Sequence, residues 1–485
     1  MTQQESEISK TSHGFFGQPR ALANLFGVEL WERFSFYGMQ GILLLYLFYS
    51  TADGGLGISK TVAAGIVGAY GGCVYLSTIL GAWISDRLLG AERVLFFSAV
   101  VIMLGHISLA LIPGVPGVIV GLILVAFGSG GLKASATSVV GTLYAPEDTR
   151  RDAGFSIFYL GINLGAFFGP LLTGLLQSTL GFHFGFGLAA LGMAFGLIQY
   201  SIGRRNLPKA SRTVPNPLPR RRYPLAIGIA VVGIAVIVAL VLAGAITASN
   251  LVTVVIGVTI VAAVAYFALI LLKVTGVERR RVVAFIPLFI ASVAFWSLYQ
   301  QQFTVLTIYS DERLDRFLFG WTMPVSWIQS INPIFIIILS GVFAAIWTKL
   351  GKRQPSTPVK FALGTMVMGL AFLLFLPFAG TGPHGTPLLA IVGILFVFTI
   401  AELLLSPVGL SVSTKLAPQS FRTQMVALFF LSVALGTAIS GKLAEFYNPH
   451  HEDAYFGILG GIAIVLGVAL AVASPWVVRL MSGVR

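Results

Sequence analysis

Polar residues break this chain into long apolar runs, and the runs set its reading. Fourteen of them reach the ~18 residues that a helix needs to cross a hydrocarbon core. They fall at about 22–49, 60–83, 91–112, 116–140, 153–176, 183–203, 223–247, 251–274, 282–308, 321–348, 358–378, 387–412, 421–445 and 454–481. Each run is continuously apolar rather than alternating, which predicts helices and argues against a barrel. The expected fold class is an all-α integral membrane protein.

The first run departs from this pattern. Its stretch Glu29–Tyr46 carries Glu29, Glu32 and Arg33 inside otherwise apolar sequence. On a helix Glu29, Arg33, Phe36 and Gln40 share one face, with Glu32 and Tyr37 beside it. From Glu29 to Gln40 the rise is about 16 Å, roughly half of the hydrocarbon core. Ionisable groups at such depth are costly unless paired or facing water, so they mark a functional site by default.

The polar breaks predict organisation. Residues 1–21 read as a cytoplasmic tail, polar up to Leu22, with no cleaved signal peptide expected. Six spans at 22–203 form a first bundle. The segment 204–222 is basic and proline-rich, a cytoplasmic linker. An inserted transmembrane hairpin follows at 223–275, and a second six-helix bundle at 276–485. Pro170, Pro324, Pro333 and Pro407 lie within or near spans and are candidate kinks.

Charge adds orientation. With the N-terminus inside, the breaks on that side hold Arg87, Arg93, Arg150, Arg151, the 204–222 segment, Arg279–Arg281, Lys349, Lys352, Arg353, Lys360, Lys415 and Arg422. The other side keeps Lys60, Arg313 and Arg316. This asymmetry, with an even number of spans, puts both termini in the cytoplasm. It also accounts for the net charge of +13 without nucleic acid. Composition agrees: 56% of residues are hydrophobic, 10% are charged, and the mean hydropathy is +0.90.

Few other ionisable residues are buried by pattern. Lys133 lies deep in the fourth span and Glu402 in the twelfth. If these two face one cavity with Glu29, Glu32 and Arg33, three negative charges meet two positive ones, and one proton restores neutrality. Burial raises a carboxyl pKa and a nearby cation lowers it. A site balanced between the two could take and release a proton near neutral pH. Tyr37, Tyr75, Tyr159, Asn163, Trp296, Gln300–Gln302, Gln329, Asn332 and Ser406 supply hydroxyls, amides and an indole, which suit a small polar or zwitterionic solute.

Two motifs carry a resemblance. Gly81–Arg93, G-x4-D-R-x2-G-x2-R, resembles the cytoplasmic loop of the major facilitator superfamily, in which Asp86 and Arg87 would act as a conformational latch. Glu29–Tyr37 resembles the E-x-x-E-R-F-x-Y-Y element of the proton-dependent oligopeptide transporter family, departing at Phe36. Phe158–Ala166 resembles that family's F-Y-x-x-I-N-x-G signature. Lys133, the Gln329–Pro333 run, and Glu402 with Ser406–Gly409 follow in the family's order, so the resemblance spans the chain. It implies two six-helix bundles whose helix ends rock as gates. It implies a proton-coupled symporter importing di- and tripeptides, with Glu29, Glu32, Arg33 and Lys133 coupling the proton. Glu402, Asn163 and Asn332 would hold the peptide amino terminus. Lys133, Tyr37 and Tyr75 would hold its carboxylate and backbone, and Trp296 would line a side-chain pocket. The implied setting is a bacterial inner membrane and the implied state a monomer.

Three departures stand out. Many members carry an arginine at Gln40 and a glutamate at Gln300, and these are thought to attract one another in the family. Phe429 replaces a frequent tryptophan. The loss of the arginine keeps a second cargo open, a nitrate, drug-like or peptidomimetic compound.

Other function classes find little support. An enzyme would need a buried Ser/His or metal-ligand set. Of the six histidines only His106 lies well inside a span. His450, His451, Glu452 and Asp453 read as a solvated loop rather than a metal site. No G-x4-G-K-[ST] motif is present. No cofactor is expected beyond the proton as coupling ion.

Overall fold

The protein is represented by a computed structural model that describes residues 13–145 and 148–484. Most of the predicted tail, residues 1–12, lies outside the described residues. In the described part of it, β1 (His13–Phe15) pairs antiparallel with β2 (Gln18–Pro19), and the Tyr144 hydroxyl donates to Gln18 Oε1 at 3.0 Å.

Fourteen long helices follow, among the described residues. They are α1 (Arg20–Phe48), α2 (Lys60–Ile84), α3 (Ala91–Leu111), α4 (Gly114–Gly141), α5 (Arg151–Leu180), α6 (Phe182–Gly203), α7 (Tyr223–Leu242), α8 (Leu251–Lys273) and α9 (Gly276–Tyr299). After the eight-residue α10 (Val305–Glu312) come α11 (Ile331–Leu350), α12 (Thr357–Leu373), α13 (Leu388–Lys415), α14 (Arg422–Ala444) and α15 (Glu452–Leu480). Among the described residues, thirteen segments are long and apolar enough to cross a membrane. The remaining long helix is α1, whose charged residues dilute its apolar run.

Two spans differ from the sequence reading. The ninth is not continuous. α9 ends at Tyr299, a 3-10 turn occupies Gln300–Phe303, and Thr304 at φ −125°, ψ −92° separates it from α10. The tenth starts later than residue 321. Phe319 and Gly320, both at positive φ, turn β3 (Phe317–Leu318) back on β4 (Trp321–Thr322). This is the two-residue turn whose twist suits a hairpin. Pro324 then leads into a 3-10 turn at Val325–Ser330, and the α-helix begins at Ile331.

The chain divides into two compact units. The first holds the described residues up to Ile42, with Ser50–Leu56 and Leu76–Leu251; the second holds Leu43–Tyr49, Gly57–Tyr75 and the chain from Val252 on. In the first unit Leu22, Leu25, Leu95, Ile102, Leu132, Val139, Met193 and Tyr200 bring α1, α3, α4 and α6 into one apolar core. The 204–222 segment is laid down rather than loose. Asn216 N donates to Asp86 O at 3.0 Å and Leu218 N to Arg87 O at 2.9 Å. α7 buries none of its residues and has a mean hydropathy of 3.2 over its most apolar stretch, a surface suited only to lipid or another apolar face.

In the second unit the first half of α2 lies on α14. A Cβ added at Gly68 would stand 2.5 Å from Gly441 Cα, so the two backbones touch where neither residue has a side chain.

Candidate functional site

The charged turn of α1 is buried within the first unit. Glu29, Glu32 and Arg33 are 1%, 0% and 7% exposed. Helical spacing alone sets Glu29 one turn below Arg33. Arg33 Nε and Nη2 both reach Glu29 Oε1 at 2.7 Å, and Nε lies 3.3 Å from Glu32 Oε2. One guanidinium therefore serves two carboxylates. Ser129 Oγ donates to Glu32 Oε1 at 3.1 Å, while Glu29 Oε2 is buried and accepts no hydrogen bond. Lys133, one helical turn beyond Ser129 on α4, holds its ammonium 4.6 Å from the Phe36 ring centroid. The helix α5 comes this close because Gly165 has no side chain: a Cβ there would meet Leu30 O at 2.3 Å. Two carboxylates and two cations sum to zero within this unit.

Other predicted residues of the unit are less concentrated. Tyr37 is half-buried with its ring edge-on to Phe36. Gln40 is buried, and its Oε1 accepts no hydrogen bond. Asn163 turns its amide to Tyr159 O at 2.9 Å, and Tyr159 itself is exposed. Asp86 and Arg87 sit in a widened turn, Ser85–Leu89, and their carbonyls accept from Asn216 N and Leu218 N of the 204–222 segment.

The second unit gathers its own polar set around Glu402 on α13. The Tyr299 hydroxyl lies 2.9 Å from Glu402 Oε2 and 3.3 Å from Asn332 Oδ1. It has one proton to give, and the shorter, charge-assisted contact takes it. Asn332 Nδ2 donates to Thr399 Oγ1 at 2.9 Å and to Glu402 Oε2 at 3.3 Å. Trp296 stands edge-on to Tyr299 at 5.2 Å, with its indole N–H buried and unpartnered. Gln300 is buried in the 3-10 turn, Tyr75 and Ser406 are half-buried, and the Phe429 ring packs against Gly409.

Several residues were missed by sequence reasoning. Tyr299 and Ser129 were discoverable, since each lies one turn from a residue already singled out, Trp296 and Lys133. Glu92 left no such signal. It follows the Asp86–Arg87 loop as an ordinary acid in a helix's first turn, yet it is fully buried, with Arg204 Nε at 2.6 Å. Glu452 corrects the reading of residues 450–453 as a solvated loop. It is buried, holds Arg313 Nε at 2.9 Å and accepts from the Tyr447 hydroxyl at 2.7 Å. Burial, and then the bond to Glu452, push the Tyr447 phenol well up, so it remains a donor. Beside this network Tyr49 donates to Asp311 Oδ1 at 2.8 Å, and Lys60 pairs with Glu312.

Comparison with known proteins settles the lineage. The POT family profile matches residues 92–460. The chain belongs to the POT family. A di-/tripeptide transporter of Lactococcus lactis subsp. cremoris is 41% identical over 495 residues, covering 99% of each chain. The uncharacterized transporter YclF of Bacillus subtilis (strain 168) is 44% identical, covering 97% of this chain and 96% of the other. A POT peptide transporter mutant solved with alafosfalin superposes at a TM-score of 0.93 with 45% identity over 100% of both chains. The POT fold is thus shared along the whole length, and this member of the family is a membrane transporter rather than an enzyme.

Proposed function

We propose that this POT-family chain imports di- and tripeptides in symport with protons, by alternating access. The cargo is supported by full-length relatives named as di-/tripeptide transporters. The observation that carries the coupling is the arginine shared by two buried carboxylates in α1, with Lys133 completing a neutral set. A peptide carboxylate drawn to Lys133 adds one negative charge to that set. Uncompensated charge is costly where water is scarce, and one proton on Glu29 or Glu32 removes it. Each ligand thereby raises the affinity for the other, and the linkage is reciprocal.

The remaining roles are those that the family resemblance implies. Glu402, positioned by Tyr299 and Asn332, receives the peptide ammonium with Asn163. Tyr37, Tyr75 and Tyr159 meet the peptide backbone with Gln40, Gln300 and Ser406, and Trp296 and Phe429 meet side chains. Asp86 and Arg87 act as the latch. The protein works as a monomer in a bacterial plasma membrane with both termini cytoplasmic, the orientation that its arginine-rich ends favour.

The test is uptake in proteoliposomes. An inward proton gradient should concentrate dialanine, and a protonophore should abolish the concentration. Glu402→Ala should weaken dialanine far more than its N-acetylated form. Concentrative uptake that survives the protonophore would overturn the coupling, and equal weakening would overturn the ammonium assignment.

A further inference from the structure

A second polar site lies in the first unit, at the arginine-rich end of α3 and α6. It is a cavity of about 400 Å³ lined by Glu92, Arg93, Phe96, Ser201, Arg204, Arg205 and Arg212. None of these residues belongs to the coupling set.

Charge is the first observation. Four arginines face one carboxylate, a balance of +4 − 1 = +3. That carboxylate is already committed. Arg204 grips Glu92 through both oxygens, Nε to Oε1 at 2.6 Å and Nη2 to Oε2 at 3.1 Å, and Arg212 Nε lies 3.7 Å from Oε2. Arg204 is further fixed by the Phe96 ring, 4.0 Å away, and Arg212 by Arg204 O, which accepts from its Nη2 at 2.8 Å. Arg212 Nε is buried and makes no hydrogen bond. The pair Glu92–Arg204 is thus a rigid floor, while Arg93 and Arg205 stand exposed at the rim. Guanidinium groups held in place around a cavity are what an oxyanion with several acceptors needs, and phosphate meets that geometry best.

The flank is the second observation. On α3, Phe97 is one turn deeper than Arg93 on the same face; on α6, Ile198 and Ile202 lie one turn deeper than Ser201 and Arg205. Phe97, Ile198 and Ile202 are 53%, 59% and 74% exposed. A polar pocket at a helix end therefore continues into exposed apolar surface along the two spans. Free phosphate has no use for that surface, whereas acyl chains do. Basic pockets at the ends of membrane helices take anionic headgroups in this way.

We propose that this cavity binds the phosphate of an anionic phospholipid, a glycerophosphate headgroup whose acyl chains run along Phe97, Ile198 and Ile202. The lipid bridges the end of α3, the end of α6 and the segment after it. Arg212 belongs to the same segment that Asn216 and Leu218 tie to the Asp86–Arg87 turn.

The test is lipid retention by the purified full-length protein, read by native mass spectrometry after detergent exchange. Phosphatidylglycerol and phosphatidylcholine are titrated separately, with inorganic phosphate and glycerol 3-phosphate as soluble arms. The double variant Arg93→Gln/Arg205→Gln leaves Glu92–Arg204 intact, and Arg279→Gln/Arg280→Gln removes equal charge elsewhere. Phosphatidylglycerol should be held in preference to phosphatidylcholine. At the strength usual for an arginine at a lipid surface, the first variant should lose about 30-fold in phosphatidylglycerol affinity. The control should lose less than about 2-fold, well under one such contact. Equal losses in both variants, or no preference over phosphatidylcholine, would overturn the site. Soluble phosphate binding as tightly as the lipid would overturn the lipid as its occupant.

Discussion

Gly68→Ala is the change to which the crossing of α2 and α14 responds most directly. A Cβ at position 68 would stand 2.5 Å from Gly441 Cα and 2.8 Å from Gly441 N. Ordinary contact between carbon atoms is about 3.5–4.0 Å, so the helices must part by about 1 Å, with no flexible side chain to yield instead. Overpacking of this kind costs about 1–3 kcal/mol. At ~1.4 kcal/mol per decade, the undocked population of α2 should rise about 5- to 150-fold. The chain carries its own reporter. Cys73, its single cysteine, is half-buried on α2. It follows Gly72, where a Cβ would come within 3.3 Å of Ala438 Cβ on α14. In proteoliposomes, maleimide labelling of Cys73 should quicken, by at most that factor because the half-buried thiol also reacts from the docked state, with Cys73→Ser as the blank. A folded, monodisperse Gly68→Ala protein that labels at the wild-type rate would refute the argument.

Three further outcomes follow from the geometry. Arg33→Gln strips two buried carboxylates of their shared cation, a loss worth about 3–5 kcal/mol. Gradient-driven dipeptide accumulation should vanish while counterflow exchange persists; parallel loss of both would mark Arg33 as structural. Tyr299→Phe removes the donor to Glu402, a charged hydrogen bond worth about 1.5–3 kcal/mol, so the KM for dialanine should rise about 10-fold or more. An unchanged KM would dismiss Tyr299 as a positioning residue. Arg313→Gln leaves Glu452 buried without its cation and should destabilise the detergent-solubilised protein by about 3 kcal/mol, with Glu452→Gln restoring part of the loss. Thermal unfolding that is indifferent to Arg313→Gln would count against that network.

The charges of α1 were legible because a membrane helix has little else that is polar, so each one announces itself. Glu402 and Lys133 were read in the same way, and the bilayer requirement made the helix number readable from apolar run lengths. The failures have a different cause. The break at Thr304 follows Gln300–Gln302, polar residues that read as side chains lining a site within one continuous span rather than as the end of a helix. The hairpin at Phe319–Gly320 depends on two positive φ angles, and only one of its residues is glycine. Glu92 and Glu452 are acids at helix starts, where solvated acids are equally common. Their burial depends on Arg204 and Arg313, which are more than a hundred residues away in sequence. Long-range pairing of that kind leaves no local pattern.

The segment after α6 carries one more consequence. Its attachment to the turn after α2 runs through Asn216 N and Leu218 N, main-chain groups two residues apart, onto the carbonyls of Asp86 and Arg87. Such bonds need only a residue with a backbone N–H at those two places, and they count residues. Substitutions other than proline at the exposed Asn216 should therefore pass with little effect, while Leu218, which is buried, should stay apolar; adding or deleting a single residue would slip the whole strip out of register. For anyone grafting a fluorescent reporter or an affinity tag, the exposed positions of that stretch can be respelled, but the stretch cannot be lengthened. Over evolutionary time its spacing should drift more slowly than its spelling.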